Sequence, residues 1–472
     1  MRIATLMAVS APADGATHGD KPNFIVFLCD NLGYGDIGPY GSTLNRTPNL
    51  DRLAREGRMF RSFYTAGNVC TPSRAGLMTG SYPRRLGIYQ NPRGGAVLQP
   101  GEPIGLHPSE ITIAEVLKSV GYSTMLIGKW HLGDQLPFLP TRQGFDRYYG
   151  VPYSDDMTPR PGMKWPPLPL MKDEIVVEAP VDRAQLTQYE TRAAIDFIQE
   201  NRGGPFFLLI SHAMPGSTGS PFASAAFKGK SKNGPYGDAV EELDWSAGEI
   251  LRTLDTLGLR DRTLVLWTSD NSAQARRDPG QIGTNAPLTG FMRSTSEGGF
   301  RVPFIARWPG RVPAGTVTDE LATMMDLLPT FAALAGAQSP GAEIVDGKNI
   351  GPLFLGEQGA TTPHRAFFFY QFDQLQAVRS GPWKLFLRLE KERGAPTQPA
   401  KQVRKAARLY HVVEDPAEKH DVAAHHAEVI VSLTQLADIA RAEIGDFERQ
   451  GTKQRPAGWI PDPDTRRLPV HQ

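Results

Sequence analysis

The strongest constraint on the fold is an alternation of short apolar runs with segments of helical periodicity over the first two-thirds of the chain. Residues 23–28, 206–210 and 264–267 are apolar runs of the length of a buried strand. Residues 238–257, between the last two runs, repeat apolar side chains at helical spacing. Buried strands that alternate with helices favour an α/β fold with a mostly parallel central sheet flanked by helices. In such sheets ligands bind at the carboxyl ends of the strands, so a site is expected there.

After about residue 360 the pattern changes to short strand-like runs that are joined by turns. These runs are residues 366–370, 377–379, 383–389 and 409–413, and a helical segment follows at 427–442. This pattern predicts a smaller antiparallel α+β subdomain. We therefore predict three parts: an N-terminal segment at 1–20, a catalytic α/β domain at 21–360, and a C-terminal subdomain at 361–472 with a four-stranded sheet and a helix.

Composition excludes several classes of protein. Lys and Arg total 51 against 50 acidic residues, and this near-neutral balance gives no electrostatic reason to expect a nucleic-acid partner. No apolar run approaches the roughly 18 residues of a membrane span, and two cysteines do not make a disulfide scaffold. Residues 1–13 resemble a short secretion signal, which favours a periplasmic or secreted location over a cytoplasmic one; an irregular N-terminus without a signal is the alternative.

Two polar pairs follow predicted strands. Asp30 and Asn31 come after the run at 23–28, and Asp270 and Asn271 come after the run at 264–268. Two such pairs at the ends of parallel strands offer four oxygen ligands to a hard cation such as Ca²⁺ or Mg²⁺. Each pair taken alone is also the ordinary composition of a turn or a helix cap.

A third segment places a cysteine at the start of a predicted helix. Pro72 suits a first helical turn, so Cys70 is expected at the positive N-terminal end of the helix. Arg74 lies four positions later, and its guanidinium can reach back to bind an oxyanion near Cys70. The alternative is a cysteine that serves as a small buried apolar residue.

A fourth segment carries a cation and a proton donor just past the predicted strand at 123–127. Lys129 and His131 are two residues apart, so in extended backbone their side chains point to the same face. That arrangement suits an anionic ester and its leaving group. A Lys-x-His sequence at a strand end is also often only surface.

Together these segments resemble the sulfatase family of the alkaline-phosphatase-like superfamily, and within it the arylsulfatase and N-acetylgalactosamine-6-sulfatase group. The sequence from Cys70 to Arg74 matches the C-x-P-S-R signature of the family, and the resemblance runs from about Lys21 to Asp446. It implies an alkaline-phosphatase-like fold and the hydrolysis of sulfate esters of aryl alcohols or sugars.

The resemblance also implies roles for the residues of the third and fourth segments. Cys70 would be oxidised to formylglycine by a formylglycine-generating enzyme, and one hydroxyl of the hydrated aldehyde would attack sulfur while the other later expels sulfate. Arg74 would orient this group, Lys129 would contact sulfate and His131 would hold the diol.

The metal implied by the resemblance is Ca²⁺, with Mg²⁺ as an alternative, held by Asp30, Asn31, Asp270 and Asn271. Members of the family usually have Asp-Asp in the first pair, and here the second residue is Asn31. One carboxylate fewer predicts weaker calcium binding.

Two further positions depart from the family pattern on the substrate side of the site. Relatives often read His-x-Met-Pro-His-x-Pro, in which the second His contacts the substrate and can protonate the leaving oxygen. Here Gly216 stands near that place, and His212 is either catalytic or a strand-end residue that packs. Met292 occupies the place of a family Lys, and the neighbouring Arg293 either substitutes for it or points to solvent.

These departures leave three functions open. The first is hydrolysis of a sulfate ester, with an activated aryl leaving group needing the least protonation. The second is a phosphodiesterase or phosphonate monoester hydrolase of the same superfamily. The third is a degenerate sulfatase that binds a sulfated glycan, although a pure binder has no need of the Cys70 motif. The loop at 151–178 is either the pocket rim or a surface excursion.

Overall fold

The computed structural model of the chain describes residues 21–163, 165–216, 222–275, 283–341, 345–393 and 406–464. The predicted N-terminal segment at 1–20 lies outside these residues.

The described residues form twenty strands and nine α-helices. The strands are, in chain order, β1 (Asn23–Cys29), β2 (Arg58–Phe60), β3 (Phe63–Tyr64), β4 (Ile104–Gly105), β5 (Ser123–Gly128), β6 (Arg147–Gly150), β7 (Leu170–Lys172), β8 (Ile175–Glu178), β9 (Phe206–Ser211), β10 (Thr263–Ser269), β11 (Ile305–Arg307), β12 (Thr316–Thr318), β13 (Ala322–Thr323), β14 (Phe367–Gln371), β15 (Gln374–Ser380), β16 (Trp383–Phe386), β17 (Arg408–His411), β18 (Gly445–Asp446), β19 (Arg449–Gln450) and β20 (Gly458–Trp459). The helices are α1 (Pro48–Arg55), α2 (Cys70–Thr79), α3 (Ile113–Lys118), α4 (Leu186–Glu200), α5 (Gly234–Thr256), α6 (Glu297–Phe300), α7 (Leu327–Ala335), α8 (Gly351–Leu355) and α9 (Ala427–Glu443).

Ten strands form the central sheet, in the order β12-β2-β11-β10-β1-β9-β5-β6-β7-β8. The middle of the sheet is parallel, because β1 pairs with β10 and β9, and β5 pairs with β9 and β6. Antiparallel pairs lie outside it: β11 with β10 and β2 on one side, and β7 with β6 and β8 on the other. The predicted mostly parallel sheet is confirmed, with antiparallel margins that the sequence did not indicate.

The segment at 151–178 is not simply a loop. Its second half contains β7 and β8, which extend the sheet to its edge. The start of its first half lies beside the carboxyl end of β5, because the N–H of His131 donates to the carbonyl of Pro152, and Tyr153, Ser154 and Asp155 are buried there. This half therefore lies where the parallel strands place ligands.

The central sheet packs against an apolar cluster on each face. Successive side chains of β1 point in opposite directions, so they alternate between the two clusters. Phe24 faces one apolar cluster and stacks on Phe331 of α7, with ring centroids 4.2 Å apart. Phe27 faces the other cluster, which includes Phe197 of α4 and Leu243 of α5. Every residue of β1 is buried. Burial on both faces accounts for the continuous apolar run in the sequence.

The C-terminal part forms the predicted antiparallel α+β unit. Strands β14, β15, β16 and β17 pair in sequence order, each antiparallel to the next. Helix α9 buries an apolar stripe that includes Leu433, Leu436 and Ala440. None of the helices in the described part of the chain combines the length and apolarity that crossing a membrane requires.

Candidate active site

The two polar pairs that are predicted to bind a metal meet because their strands are neighbours. Cys29, the last residue of β1, is in register with Ser269, the last residue of β10, so Asp30 and Asp270 leave the sheet side by side. The backbone N–H of Asp270 donates to the carbonyl of Cys29 at 2.9 Å, and the N–H of Asn31 donates to Oδ1 of Asp270 at 3.2 Å. Asn31 has φ 62°. The short polar side chain of asparagine tolerates this left-handed turn, which brings the residue back toward the second pair.

Helix α2 begins at Cys70 and presents the thiol to this cluster. Its Sγ lies 3.3 Å from Oδ1 of Asp30 and 3.8 Å from Oδ1 of Asn31. One candidate ligand atom from each of Asp30, Cys70 and Asp270 lies within 4.8 Å of the others. Burial, together with Asp270 and Asp30, raises the pKa of the Cys70 thiol well above its usual value. These side chains alone therefore do not activate the thiol as a thiolate nucleophile.

Two buried cations offset the two carboxylates. Arg74 donates from Nε to Oδ2 of Asp270 at 2.8 Å, and its Nη2 lies 3.6 Å from Oδ1 of Asp30. Nζ of Lys129 lies 2.7 Å from the same Asp30 oxygen. Although burial opposes it, Lys129 and Arg74 lower the pKa of Asp30 to about 2, whereas burial raises the pKa of Asp270 to about 6. The structure thus brings the predicted Arg74 and Lys129 to the predicted metal pairs.

Two serines that the sequence did not single out complete this arrangement. Nη1 of Arg74 donates to Oγ of Ser211 at 2.5 Å and to the carbonyl of Lys129 at 2.8 Å. Nζ of Lys129 also donates to Oγ of Ser154 at 3.2 Å. Ser211 ends β9, the neighbour of β1, so the rule that located Asp30 also points to it. Ser154 carries no comparable local signal.

His131 lies at the site in a conformation that the sequence did not predict. Extended backbone was expected, but His131 has φ 66°, so this expectation is wrong. Its Nε2 lies 2.9 Å from the carbonyl of Leu98, which can only accept, so the proton is on Nε2 and Nδ1 is an acceptor. This Nδ1 is buried and has no partner among the described residues. Burial, with Lys129 and Arg74 nearby, lowers the pKa of His131 well below its usual value, so the ring is neutral.

His212 directly follows β9, and its side chain contacts helices α4 and α5. Its Nδ1 is 2.6 Å from Oε2 of Glu190, and its Nε2 is 3.3 Å from Oγ of Ser246. These contacts occupy both ring nitrogens, and the structure does not bring this histidine to the Cys70 cluster. Gly216 does adjoin the cluster, because its N–H donates to the carbonyl of Asp30 at 3.0 Å.

Met292, rather than Arg293, contacts the two polar pairs that are predicted to bind a metal. Nδ2 of Asn271 lies 3.2 Å from the sulfur of Met292. Arg293 has φ 69°, and its backbone N–H donates to the carbonyl of Asn68 at 3.1 Å. Arg293 also lines a cavity of about 420 Å³, together with Arg393 of the C-terminal part. Arg293 therefore borders the site through its backbone.

The donor set fits a hard divalent cation. Oδ2 of Asp30 and Oδ1 of Asn271 are buried and find no hydrogen-bond donor among the residues that the structure describes. Buried oxygens without a donor are costly, and a cation would satisfy both. With Asp270 and Asn31 the site offers carboxylate and amide oxygens, which are the ligands that Ca²⁺ takes.

Comparisons with known proteins agree with this geometry. The sulfatase family model matches residues 22–337, and a model of the C-terminal region of aryl-sulfatase matches residues 362–462. The chain is 35% identical over 467 residues to N-acetylgalactosamine-6-sulfatase of Canis lupus familiaris, covering 92% of this chain and 88% of the relative. It is 39% identical over 401 residues to arylsulfatase A of Bos taurus, covering 79% and 76%. The solved PsFucS1 sulfatase from Pseudoalteromonas sp. superposes with a TM-score of 0.79 at 26% identity, over 90% of this chain and 91% of that chain.

Proposed function

This chain belongs to the sulfatase family, and we propose that it hydrolyses sulfate esters of aryl alcohols or sugars with a formylglycine made from Cys70 and a bound Ca²⁺. Sulfuric ester hydrolysis is the activity of the family. The nucleophile, the metal and the class of alcohol are our proposal. A formylglycine-generating enzyme would be the maturation partner.

The observation that carries the proposal is the position of Cys70. Its Sγ lies 3.3 Å from a carboxylate oxygen of Asp30, at the first residue of α2. Formylglycine at this position would supply a hydrated aldehyde, whose hydroxyl is the nucleophile toward sulfur. Ca²⁺ held by the two Asp-Asn pairs would neutralise charge on the sulfate oxygens.

The side chains around Cys70 bind and orient the anionic end of the ester. Lys129 and Arg74 are buried cations whose hydrogen bonds to Asp30, Asp270, Ser154 and Ser211 fix their positions. Such fixed charges stabilise the negative charge of the sulfuryl oxygens, because they need no reorganisation when the ester binds and reacts. The unprotonated Nδ1 of His131 is available to accept a hydrogen bond from a hydroxyl at position 70.

The test is hydrolysis of 4-nitrophenyl sulfate with Ca²⁺ by protein co-expressed with a formylglycine-generating enzyme. Mass spectrometry of the tryptic peptide 62–74 would report the aldehyde at position 70. Cys70→Ala should lose all turnover above background. Cys29→Ala is the matched control, because Cys29 is the only other cysteine in the sequence and is buried like Cys70. It should retain both the aldehyde and the turnover.

Two outcomes would contradict the proposal. Equal turnover by wild type and Cys70→Ala would remove Cys70 from the chemistry. Faster hydrolysis of 4-nitrophenyl phosphate or bis(4-nitrophenyl) phosphate than of the matched sulfate would favour a phosphoester substrate instead.

A further inference from the structure

Asp155 is a buried carboxylate that finds a partner for only one of its two oxygens within the described part of the chain. It is fully buried, and its Oδ2 lies 2.5 Å from Nη2 of Arg183. Its Oδ1 is also buried and has no hydrogen-bond partner among the described residues. Leaving such an oxygen without a donor costs free energy, so a ligand that supplies a donor would be favoured. Asp155 has no part in the cluster around Cys70.

Asp155 nevertheless lies beside that cluster. The preceding residue, Ser154, accepts a hydrogen bond from Lys129, which also binds Asp30. On the other side, Gly216 donates to the carbonyl of Asp30, and a Cβ placed on Gly216 would lie 3.2 Å from Oδ1 of Asp155. Oδ1 of Asp155 therefore faces the space that a side chain at position 216 would fill. Its sequence neighbour Ser154 and the facing Gly216 both connect it to groups that adjoin Asp30.

Arg183 holds this carboxylate in one orientation. Its guanidinium binds Oδ2, and it also stacks over the ring of Phe222 at 4.1 Å from the centroid. Because one oxygen is fixed, the direction of the other is fixed as well. Burial raises the pKa of Asp155 to about 6, although Arg183 opposes this rise, so the group is mainly an anion at neutral pH.

An ionised carboxylate accepts hydrogen bonds and repels another anion. It is therefore unsuited to the sulfate group, which Lys129 and Arg74 suit, and suited to an O–H or N–H on the alcohol. We propose that Asp155 is a specificity-determining residue that accepts a hydrogen bond from a hydroxyl or amide N–H of the leaving alcohol. The preferred substrate is then a sulfated sugar rather than a plain aryl sulfate. This inference rests on the proposed function and narrows its substrate class.

The experiment compares wild type and Asp155→Asn on 4-nitrophenyl sulfate and on a panel of sulfated sugars headed by N-acetylgalactosamine 6-sulfate. Hydrogen bonds to charged groups are worth about 1.5–3 kcal/mol, so the variant should lose about 10- to 100-fold in kcat/KM on the preferred sugar sulfate. On the aryl sulfate, which lacks a donor, the loss should stay below about threefold. Equal losses on both substrates would overturn the proposal in favour of a structural role.

Deoxygenated substrates provide a second measurement that needs no variant. Removing the one donor that faces Asp155 from the preferred sugar sulfate should cost wild type a comparable 10- to 100-fold. The same removal should cost Asp155→Asn little, because the two changes delete one interaction. A series in which no single removal costs wild type more than about threefold would overturn the proposal, even if the variant did not fold.

The outcomes separate this inference from the proposed function. Wild type that hydrolyses 4-nitrophenyl sulfate faster than every sugar sulfate would refute the role of Asp155 and leave sulfatase chemistry at Cys70 intact. Wild type that carries the aldehyde but hydrolyses no sulfate ester would refute both.

Discussion

Lys384→Met tests how firmly the C-terminal four-stranded sheet is held against helix α6. Lys384 lies on β16, and its Nζ is 3.0 Å from Oε1 of Glu297 at the start of α6 and 2.8 Å from Oε1 of Glu418. Lys384 and Glu297 have no exposed side-chain surface. Glu297 follows the segment that places Met292 against Asn271. The ion pair of Lys384 and Glu297 is therefore separated from the candidate active site only by the short segment between Met292 and Glu297.

The stability that Lys384→Met should lose depends on the charge of Glu297. Burial alone would raise the pKa of its carboxyl, but Lys384, Arg301 and Arg379 lower it from 4.5 to about 2. At about 1.4 kcal/mol per pKa unit, this difference corresponds to about 3 kcal/mol of stability at neutral pH. Removing one partner of a buried ion pair typically costs about 3–5 kcal/mol. The pKa shift is the net effect of burial and of three cations, so it shows the direction of the effect and not the share of Lys384. The expected loss for Lys384→Met, about 3–5 kcal/mol, rests on the removal of one partner of a buried ion pair.

The loss should depend on pH with a definite sign. Because the pKa of Glu297 is lower in the folded state, its contribution is complete above about pH 4.5 and disappears as the pH falls toward about 2. A variant that lacks part of this contribution differs most from wild type at neutral pH. The difference should fall to less than half by about pH 3. Carboxylates that titrate in both proteins cancel in the comparison.

Urea unfolding at pH 7 and pH 3, followed by near-UV circular dichroism, measures this difference. Arg61→Met is the matched control, because Arg61 pairs with Asp319 at 2.5 Å but both side chains are at least half exposed. The control should cost less than about 1 kcal/mol. Adding Glu418→Gln to Lys384→Met should recover about 1–2 kcal/mol, since it removes one uncompensated buried carboxylate. The reasoning fails if Lys384→Met costs no more than Arg61→Met, or if its cost is unchanged at pH 3.

Two further predictions concern the site itself. Asn31→Asp adds a carboxylate to the proposed calcium ligands, so it should tighten Ca²⁺ binding by about tenfold or more, as calorimetry on Cys70→Ala protein would measure. Weaker binding would place residue 31 outside the coordination of the metal. His212→Asn should lower the free energy of unfolding by about 1–3 kcal/mol, because Glu190 and Ser246 lose their partner, and it should lower kcat/KM by less than about tenfold. A thousandfold loss of kcat/KM in a folded variant would instead assign His212 to the chemistry.

The parts of the site that the sequence predicted are those fixed by local pattern and by one rule of sheet topology. The apolar runs of β1 and β10 marked two buried strands. Parallel neighbours end at the same edge, so Asp30 and Asp270 could be placed together without a structure. Cys70 and Arg74 share one helix, and their relative position depends only on the helical repeat.

The parts that the sequence did not predict depend on long-range contacts. Ser154 reaches Lys129 only because β6 pairs with β5 and the chain then turns back over the strand ends. Strands of three residues, such as β2, β7 and β11, are too short to show a period of two, so the antiparallel margins were missed. The left-handed backbone of His131 is imposed by its surroundings, because its N–H donates to the carbonyl of Pro152 at 3.0 Å.

The charges around the site explain how a nearly neutral protein can orient an anionic ester. Asp30 and Asp270 are balanced by Lys129 and Arg74, so a bound Ca²⁺ makes the sulfate end of the site positive. With Asn31 instead of a third carboxylate, this end would be one charge more positive, which would strengthen its attraction for the sulfate anion. The proposed role of Asp155 adds a carboxylate at the alcohol end. An ester bound in the reverse direction would place its sulfate against this carboxylate, so with Ca²⁺ bound the gradient of charge would select the productive orientation.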